Sequence, residues 1–211
     1  MVKRTARIAQ STSTAAARGK PGRPRSARAQ RAILDAAAEL FIELGFDAMS
    51  VEAVATRAAV GKATIYRRWS SKEELVIDAI DQLFSEPLRP DTGSAQGDLV
   101  ELAKELHALM NSPVTGGVFP RMAAEIARGS RLGHLYAVRV IRPRRAIMGV
   151  ALRRGMDRGD LPTDTDVELA VDLLVGTLLV RRLTGQLGGG DAQLPKRVAE
   201  VILAGLRSAR S

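Results

Sequence analysis

The sequence predicts an all-α protein of about nine helices, a small N-terminal helical domain followed by a larger helical bundle. Three observations predict it. Apolar residues recur three and four apart through most of the chain, the spacing that lines one face of a helix. No stretch of useful length alternates apolar and polar residues as a half-buried strand does. Helix punctuation is also frequent, with S/T-x-x-E boxes at Ser71 and Thr165 and stops at Gly45, Gly159 and Pro162.

The first helix follows a Ser26 cap. Ile33, Ala37, Leu40, Phe41 and Leu44 share one face of it, and Gly45 ends it. Ser50 caps a short second helix, whose first turn holds Glu52 and whose buried side is Val51, Val54, Ala55 and Ala58. Val60-Gly61 breaks that helix. A third runs from about Lys62 to Trp69, with Ile65 and Trp69 one turn apart. Ser71 and Glu74 box a fourth helix carrying Leu75, Ala79, Leu83 and Phe84, which stops before Pro87. Residues 87–97 are turn formers and separate a 26–86 domain from a 98–211 domain. Beyond them, helices are expected near 98–110, 119–128, 131–156, 164–186 and 194–208.

Composition narrows the function. The 211 residues are 45% apolar and 26% charged, the balance of a globular chain. With no Cys, disulfide scaffolds, thiolate metal sites and cysteine nucleophiles are excluded. His107 and His134 are the only histidines, too few for a histidine metal centre. No nucleophile elbow or phosphate-binding loop is present, and Gly188-Gly189-Gly190 reads as a connector. Neither catalysis nor a cofactor is expected. The longest apolar run, Leu169 to Val180, is interrupted by Asp172 and too short for a membrane span. Without a signal sequence, the expected compartment is the cytoplasm.

The net charge of +9 is uneven. Residues 1–31 hold nine basic side chains and no acid, while the rest carries 23 of each sign. The arm, residues 1–25, is too poor in apolar residues to order itself alone. Three readings remain open from its composition: a polyanion-binding arm, an organelle transit peptide, or a solvated tail. A second basic stretch is more informative. Arg57, Lys62, Arg67, Arg68 and Lys72 fall between Arg57 and Lys72 with no acid among them, whereas the first and fourth helices carry the carboxylates. Two short helices joined by a tight turn, packed on a first helix, form a helix-turn-helix unit whose second member can enter a DNA major groove.

At this point the chain resembles the tetracycline-repressor-like (TetR/AcrR) regulators. The resemblance rests on Ala38-Glu39-Leu40-Phe41, Gly45-Phe46, Ser50, and the run from Val54 through Ala58-Ala59-Val60-Gly61-Lys62-Ala63-Thr64-Ile65-Tyr66-Arg67-Arg68-Trp69 to Lys72 and Leu75. It covers about residues 26–86. Gly61 and Ala63 depart from the pattern, standing where the family often has Ser and Gly; both are small, but a capping hydroxyl is lost. The resemblance implies a dimeric DNA-binding regulator, usually a repressor of a palindromic operator. It places Lys62, Ala63, Thr64 and Arg67 at base edges and Ser50, Tyr66 and Lys72 at phosphates, with Arg68 at either. The side-chain chemistry agrees: Lys and Arg pair with guanine, Ala and the Thr methyl contact thymine, and Tyr and Lys suit phosphate oxygens. Core packing is the competing role for Tyr66 and the favoured one for Trp69, and a solvated face competes for Arg67 and Arg68. Beside such a unit a transit peptide loses ground, and the arm is expected to follow the phosphates or the minor groove.

In the C-terminal half, the helix at 164–186 is apolar on nearly every side, so it must be covered on nearly every side. The resemblance makes the last two helices a four-helix dimer interface, for which Leu174, Leu178, Val198, Val201 and Ile202 are the candidates. It also implies a small-molecule effector pocket within 98–156. Candidate linings are His107, Met110, Phe119, Met122, His134, Tyr136 and Met148. With so few aromatics, an aliphatic or amphipathic effector is favoured over one recognised by stacking. Arg139, Arg142, Arg144, Arg145, Arg153, Arg154 and Arg158 make a cationic stretch, read first as a solvated helix face and second as a feature that attracts an anionic effector.

Overall fold

The computed structural model describes residues 23–84, 86–186 and 191–208. The basic arm as far as residue 22 and the triple-glycine connector lie outside them. Every regular element among the described residues is helical, with no strand among them.

Helix α1 spans Arg23–Leu44 and begins upstream of the expected Ser26 cap. Pro24 sits in its first turn, where a missing N–H costs nothing. The helix stops where expected: Gly45 adopts φ +83°, and its N–H reaches the Phe41 carbonyl at 2.9 Å. Helix α2, Val51–Arg57, is capped by Ser50, whose hydroxyl accepts the Ala53 N–H at 3.1 Å. The turn that follows is closed at Ala59 rather than at Gly61. Ala59 takes φ +53°, and the Val60 N–H reaches back to the Ala55 carbonyl at 2.9 Å, a left-handed cap made without glycine.

Helix α3 is Lys62–Tyr66, starting at Gly61 without a side-chain cap, the expected consequence of losing the hydroxyl there. Helix α4, Lys72–Leu83, starts on Ser71, whose hydroxyl accepts the Glu74 N–H at 3.2 Å. The Glu74 carboxylate closes the box on Ser70, taking its N–H at 3.1 Å and its hydroxyl at 2.7 Å.

Helix α5 (Ala95–Asn111) is capped by Ser94 and begins earlier than expected. Next come α6 (Val118–Ala127) and α7 (Arg131–Tyr136). The rod expected over 131–156 continues through a π-helical segment, Ala137–Ile141, into α8, Arg142–Asp157. Pro143 explains the irregularity. It donates no N–H to the turn before it, and the Arg142 N–H instead reaches five residues back to the Ala137 carbonyl. Counted with that rod as one, the described helices number nine.

Helix α9 (Val167–Leu183) is capped by Asp166, which accepts the Leu169 N–H at 3.0 Å. The Thr165–Glu168 box expected there does not form. The Thr165 hydroxyl donates to the Pro162 carbonyl at 2.7 Å, and Glu168 is drawn to Arg145 at 3.0 Å. The last helix, α10, is Leu194–Ser208.

Two apolar cores hold these elements. One joins α1–α4 to α6, α7 and the π segment through Val118, Met122, Leu132, Tyr136 and Val140. The other is built from α5, α8, α9 and α10. The turn-rich 87–97 segment therefore separates helices in sequence without separating the cores. The cationic stretch is also no mere solvated face. Arg139 pairs with Asp78 at 2.5 Å, Arg144 with Asp81 at 3.0 Å, and Arg145 with Asp172 at 2.6 Å. Arg154 and Arg158 converge on buried Asp98 at 3.0 and 3.2 Å. These pairs lace α8 and its neighbours to α4, α5 and α9.

Candidate nucleic-acid interface and effector cavity

The helical period divides the α3 region cleanly. Ile65 and Trp69, one turn apart, are buried against α1 and α4, and the Trp69 indole N–H donates to Asp78 Oδ2 at 2.8 Å. Core packing is thus the role the structure gives Trp69. Lys62, Ala63, Tyr66 and Arg67 are exposed on the opposite side, Tyr66 at 55%; Thr64 and Arg68 are half-buried. Tyr66 is therefore not a core aromatic.

The cationic strip is less bare than its sequence. Arg57 makes a bidentate pair with Glu43, both contacts at 2.9 Å, and so belongs to α1. Lys62 pairs with Glu52 of α2. That hydrogen bond pushes the Glu52 carboxyl below its usual range and raises Lys62. Both partners are about half exposed, so a phosphate or base can replace Glu52 readily. Arg68 donates to Gln30 Oε1 at 3.1 Å. Among the described residues Arg67 has no side-chain partner. Lys72 is the most committed: its ammonium donates to the Phe46 and Met49 carbonyls at 2.8 and 3.1 Å and lies over the Phe46 ring. It pins the start of α4 to the α1–α2 turn, with one of its three N–H donors left over. Ser50 likewise has its hydroxyl oxygen engaged in the α2 cap.

Five of the seven expected pocket residues meet. Met110, Phe119, Met122, Tyr136 and Met148 line one cavity of about 120 Å³. The two histidines do not join them: His134 is exposed, and His107 turns to Asn111 at 2.9 Å. A polar ring on a helix flank finds water more cheaply than an apolar cavity. Missed from sequence were Phe84 of the α4 terminus, stacked on Phe119 at 5.7 Å between ring centres, and the guanidiniums of Arg144 and Arg145. Phe84 belongs to the apolar face expected of α4, and Arg144 and Arg145 to the cationic stretch; that they meet at one cavity depends on helices remote in sequence.

The expected interface residues divide between the chain's own core and a surface groove, which Val198, Val201 and Ile202 line together. Leu174, Leu178, Val198 and Ile202 are buried inside the single chain, where α9 and α10 pack on α5 and α8. Val201 alone of the five is outside, 72% exposed. The outward apolar surface combines Val201 with Leu169 and Leu173, along a groove also lined by Val198, Ile202, Thr177 and Gly205. Among the described residues no three His, Cys, Asp or Glu gather to hold a metal ion, and no helix is long and apolar enough to cross a membrane.

Residues 33–79 match the family described as bacterial regulatory proteins, tetR family, and residues 89–202 match the tetracyclin repressor-like C-terminal domain. The chain belongs to the TetR family of transcriptional regulators. It is 36% identical over 165 residues to the HTH-type transcriptional regulator YdeS of Bacillus subtilis, covering 78% of this chain and 83% of that one. It is 32% identical over 185 residues to the DNA-binding transcriptional repressor TetR of Mycobacteroides abscessus, covering 83% and 93%. A solved TetR transcriptional regulator from Agrobacterium tumefaciens shares the fold with a TM-score of 0.68 at 24% identity, over 83% of this chain and 93% of that one. The family consists of DNA-binding regulators rather than enzymes.

Proposed function

We propose that this TetR-family regulator is a ligand-responsive repressor, acting in the cytoplasm as a homodimer on a palindromic operator. The observation that carries the reading is the division of α3: Ile65 and Trp69 inward, Lys62, Ala63, Tyr66 and Arg67 outward. In this reading Lys62, Ala63, Thr64 and Arg67 face base edges. Ser50, Tyr66, Arg68 and the spare N–H of Lys72 meet the backbone. One such helix reads few base pairs, and a two-fold dimer reads two half-sites one or more helical turns apart. Leu169, Leu173 and Val201 supply the apolar surface that would join two copies. The arm outside the described residues adds phosphate contacts and salt dependence.

The effector would enter the cavity beside Phe84. Helix α4 is the connecting part: Asp78 accepts the Trp69 indole N–H on one side and Arg139 on the other. An effector that prefers the conformer with displaced α4 changes the separation of the two α3 helices. The coupling is reciprocal, so operator DNA weakens effector binding by the same factor. Selection from random duplex DNA tests the DNA reading. A palindromic motif is expected, and replacing Lys62 and Thr64 together with Glu should weaken its binding about a hundredfold or more in the folded protein. Recovery of sequences without symmetry, or unchanged affinity of the double variant, overturns it.

A further inference from the structure

The cavity has an electrostatic asymmetry. Arg144 and Arg145 both line it, with side chains only 18% and 25% exposed. Their counter-charges, Asp81, Glu168 and Asp172, are all more than half exposed, and none of them lines the cavity. Water screens the carboxylates more than it screens the guanidiniums, so the cavity interior is left positive. Among the described residues no acidic side chain lines this cavity to cancel that field.

Two side chains in the wall carry donors without a protein partner among the described residues. Arg144 makes both of its hydrogen bonds through Nη1, to Asp81 Oδ1 at 3.0 Å and to the Val140 carbonyl at 3.3 Å. Its Nε and Nη2 make no hydrogen bond among the described residues, and the guanidinium lies over the Phe84 ring at 5.2 Å. Tyr136 is 5% exposed, and its hydroxyl, which is not closed off from solvent, makes no hydrogen bond among the described residues. Burial pushes Tyr136 ionisation well above its usual range while the nearby Arg144 charge draws it down, so the hydroxyl stays a neutral donor. The rest of the lining is apolar.

A second cavity of about 230 Å³ lies across a wall shared by Phe84, Leu106, Leu109, Arg144 and Met148. It contains Glu105, whose carboxylate accepts the Leu88 N–H at 3.0 Å and would repel an anion. An anionic head therefore belongs to the smaller cavity. A tail too long for it can reach the larger one past Met148, an unbranched side chain that shifts easily.

We propose that the effector is a small amphipathic monocarboxylate, its apolar body among Met110, Met122 and Phe119 and its carboxylate on Arg144 and the Tyr136 hydroxyl, in place of Asp81. Asp81 already faces water, so its release leaves no buried charge unpaired. Because Asp81 lies on α4, exchanging it for the ligand cuts one tether between α4 and α8. The inference rests on reading this cavity as the effector site.

Calorimetric titration of the full-length protein with hexanoate, octanoate and decanoate, each against its primary alcohol, tests the assignment. At least one carboxylate should bind saturably, and about tenfold or more tighter than its alcohol. Arg144→Gln should abolish that preference and leave alcohol binding in place. Asp81→Asn, which removes the competing anion and keeps the packing, should tighten carboxylate binding about threefold without affecting the alcohol. Equal affinity of acid and alcohol, no saturable binding of any acid, or an Asp81→Asn variant that binds the acid no better each overturns the proposal. Retention of the selected duplex, measured on the same samples, shows whether the regulator reading survives such a failure.

Discussion

Helices α3 and α9 treat their apolar residues in opposite ways. In α3 the large apolar residue Ile65 points inward, as does Trp69 just beyond, and the outward face carries amine, guanidinium, hydroxyl and methyl groups. In α9 the apolar residues run all round: Ala170, Val171, Leu174 and Leu178 are buried, while Leu169, Leu173 and Val180 are about half exposed. A polar outer face is stable in water by itself and keeps donors available for a polyanion. An apolar one is stable only when something covers it. The first arrangement suits a surface that binds and releases DNA, the second a surface that, in the homodimer proposed above, stays closed against another copy of the chain.

Pairs of substitutions on α9 and α10 separate the inner role from the outer one most strongly. Leu174→Ala, at a fully buried site, should cost about 3 kcal/mol of unfolding free energy, read by urea denaturation at fixed protein concentration. It should leave the oligomeric state intact. Val201→Glu should do the reverse, giving a species of 22.6 kDa by sedimentation at micromolar concentration with helical content retained. Should Val201→Glu sediment as the unmodified protein does, the outer face is not the interface.

A comparable loss is expected at the hub of the bundle. Burial opposes ionisation of Asp98, but the Thr92 N–H and hydroxyl with Arg154 and Arg158 outweigh it and hold its carboxyl below the ordinary 3.8. Ionised Asp98 therefore adds stability above its unfolded value, and that stability drains away as pH falls through the lower folded value. Asp98→Asn should cost roughly 3 kcal/mol at neutral pH and leave a flatter stability profile in acid. An unchanged acid limb would show that Asp98 is not the group responsible.

The smallest expected effect tests the turn that aims α3. Ala59 occupies the left-handed region, and Ala59→Gly relieves that strain while loosening the unfolded chain. A net gain of about 0.5 kcal/mol in thermal unfolding is expected, with DNA affinity unchanged. A loss of stability would mean that the Ala59 methyl packs usefully.

Local patterns made the DNA-reading half legible: Ser50 and Ser71 as caps, Gly45 as a stop, and the Ile65–Trp69 spacing all act over a single turn of helix. Arg57 was harder. Its charge read as part of a free strip, yet its partner Glu43 lies fourteen residues earlier on another helix. Lys72 likewise spends two donors on carbonyls of a distant turn. In the bundle, Met110, Phe119, Met122, Tyr136 and Met148 were candidates through the family resemblance, as were His107 and His134, which lie outside the cavity. Arg144 and Arg145 were hidden in a run of arginines of which most serve as ion pairs.

The amino-acid order alone determined that the chain is helical, where most of its helices begin and end, and which short helix presents a basic face. Those properties follow from hydrogen bonds and side-chain periodicity within a few residues of one another. Only the tertiary structure decided which leucines of α9 are core and which are surface, which arginines are neutralised, and which of them turn toward a cavity. Each of those outcomes depends on what a neighbouring helix, remote in sequence, places against the same side chain.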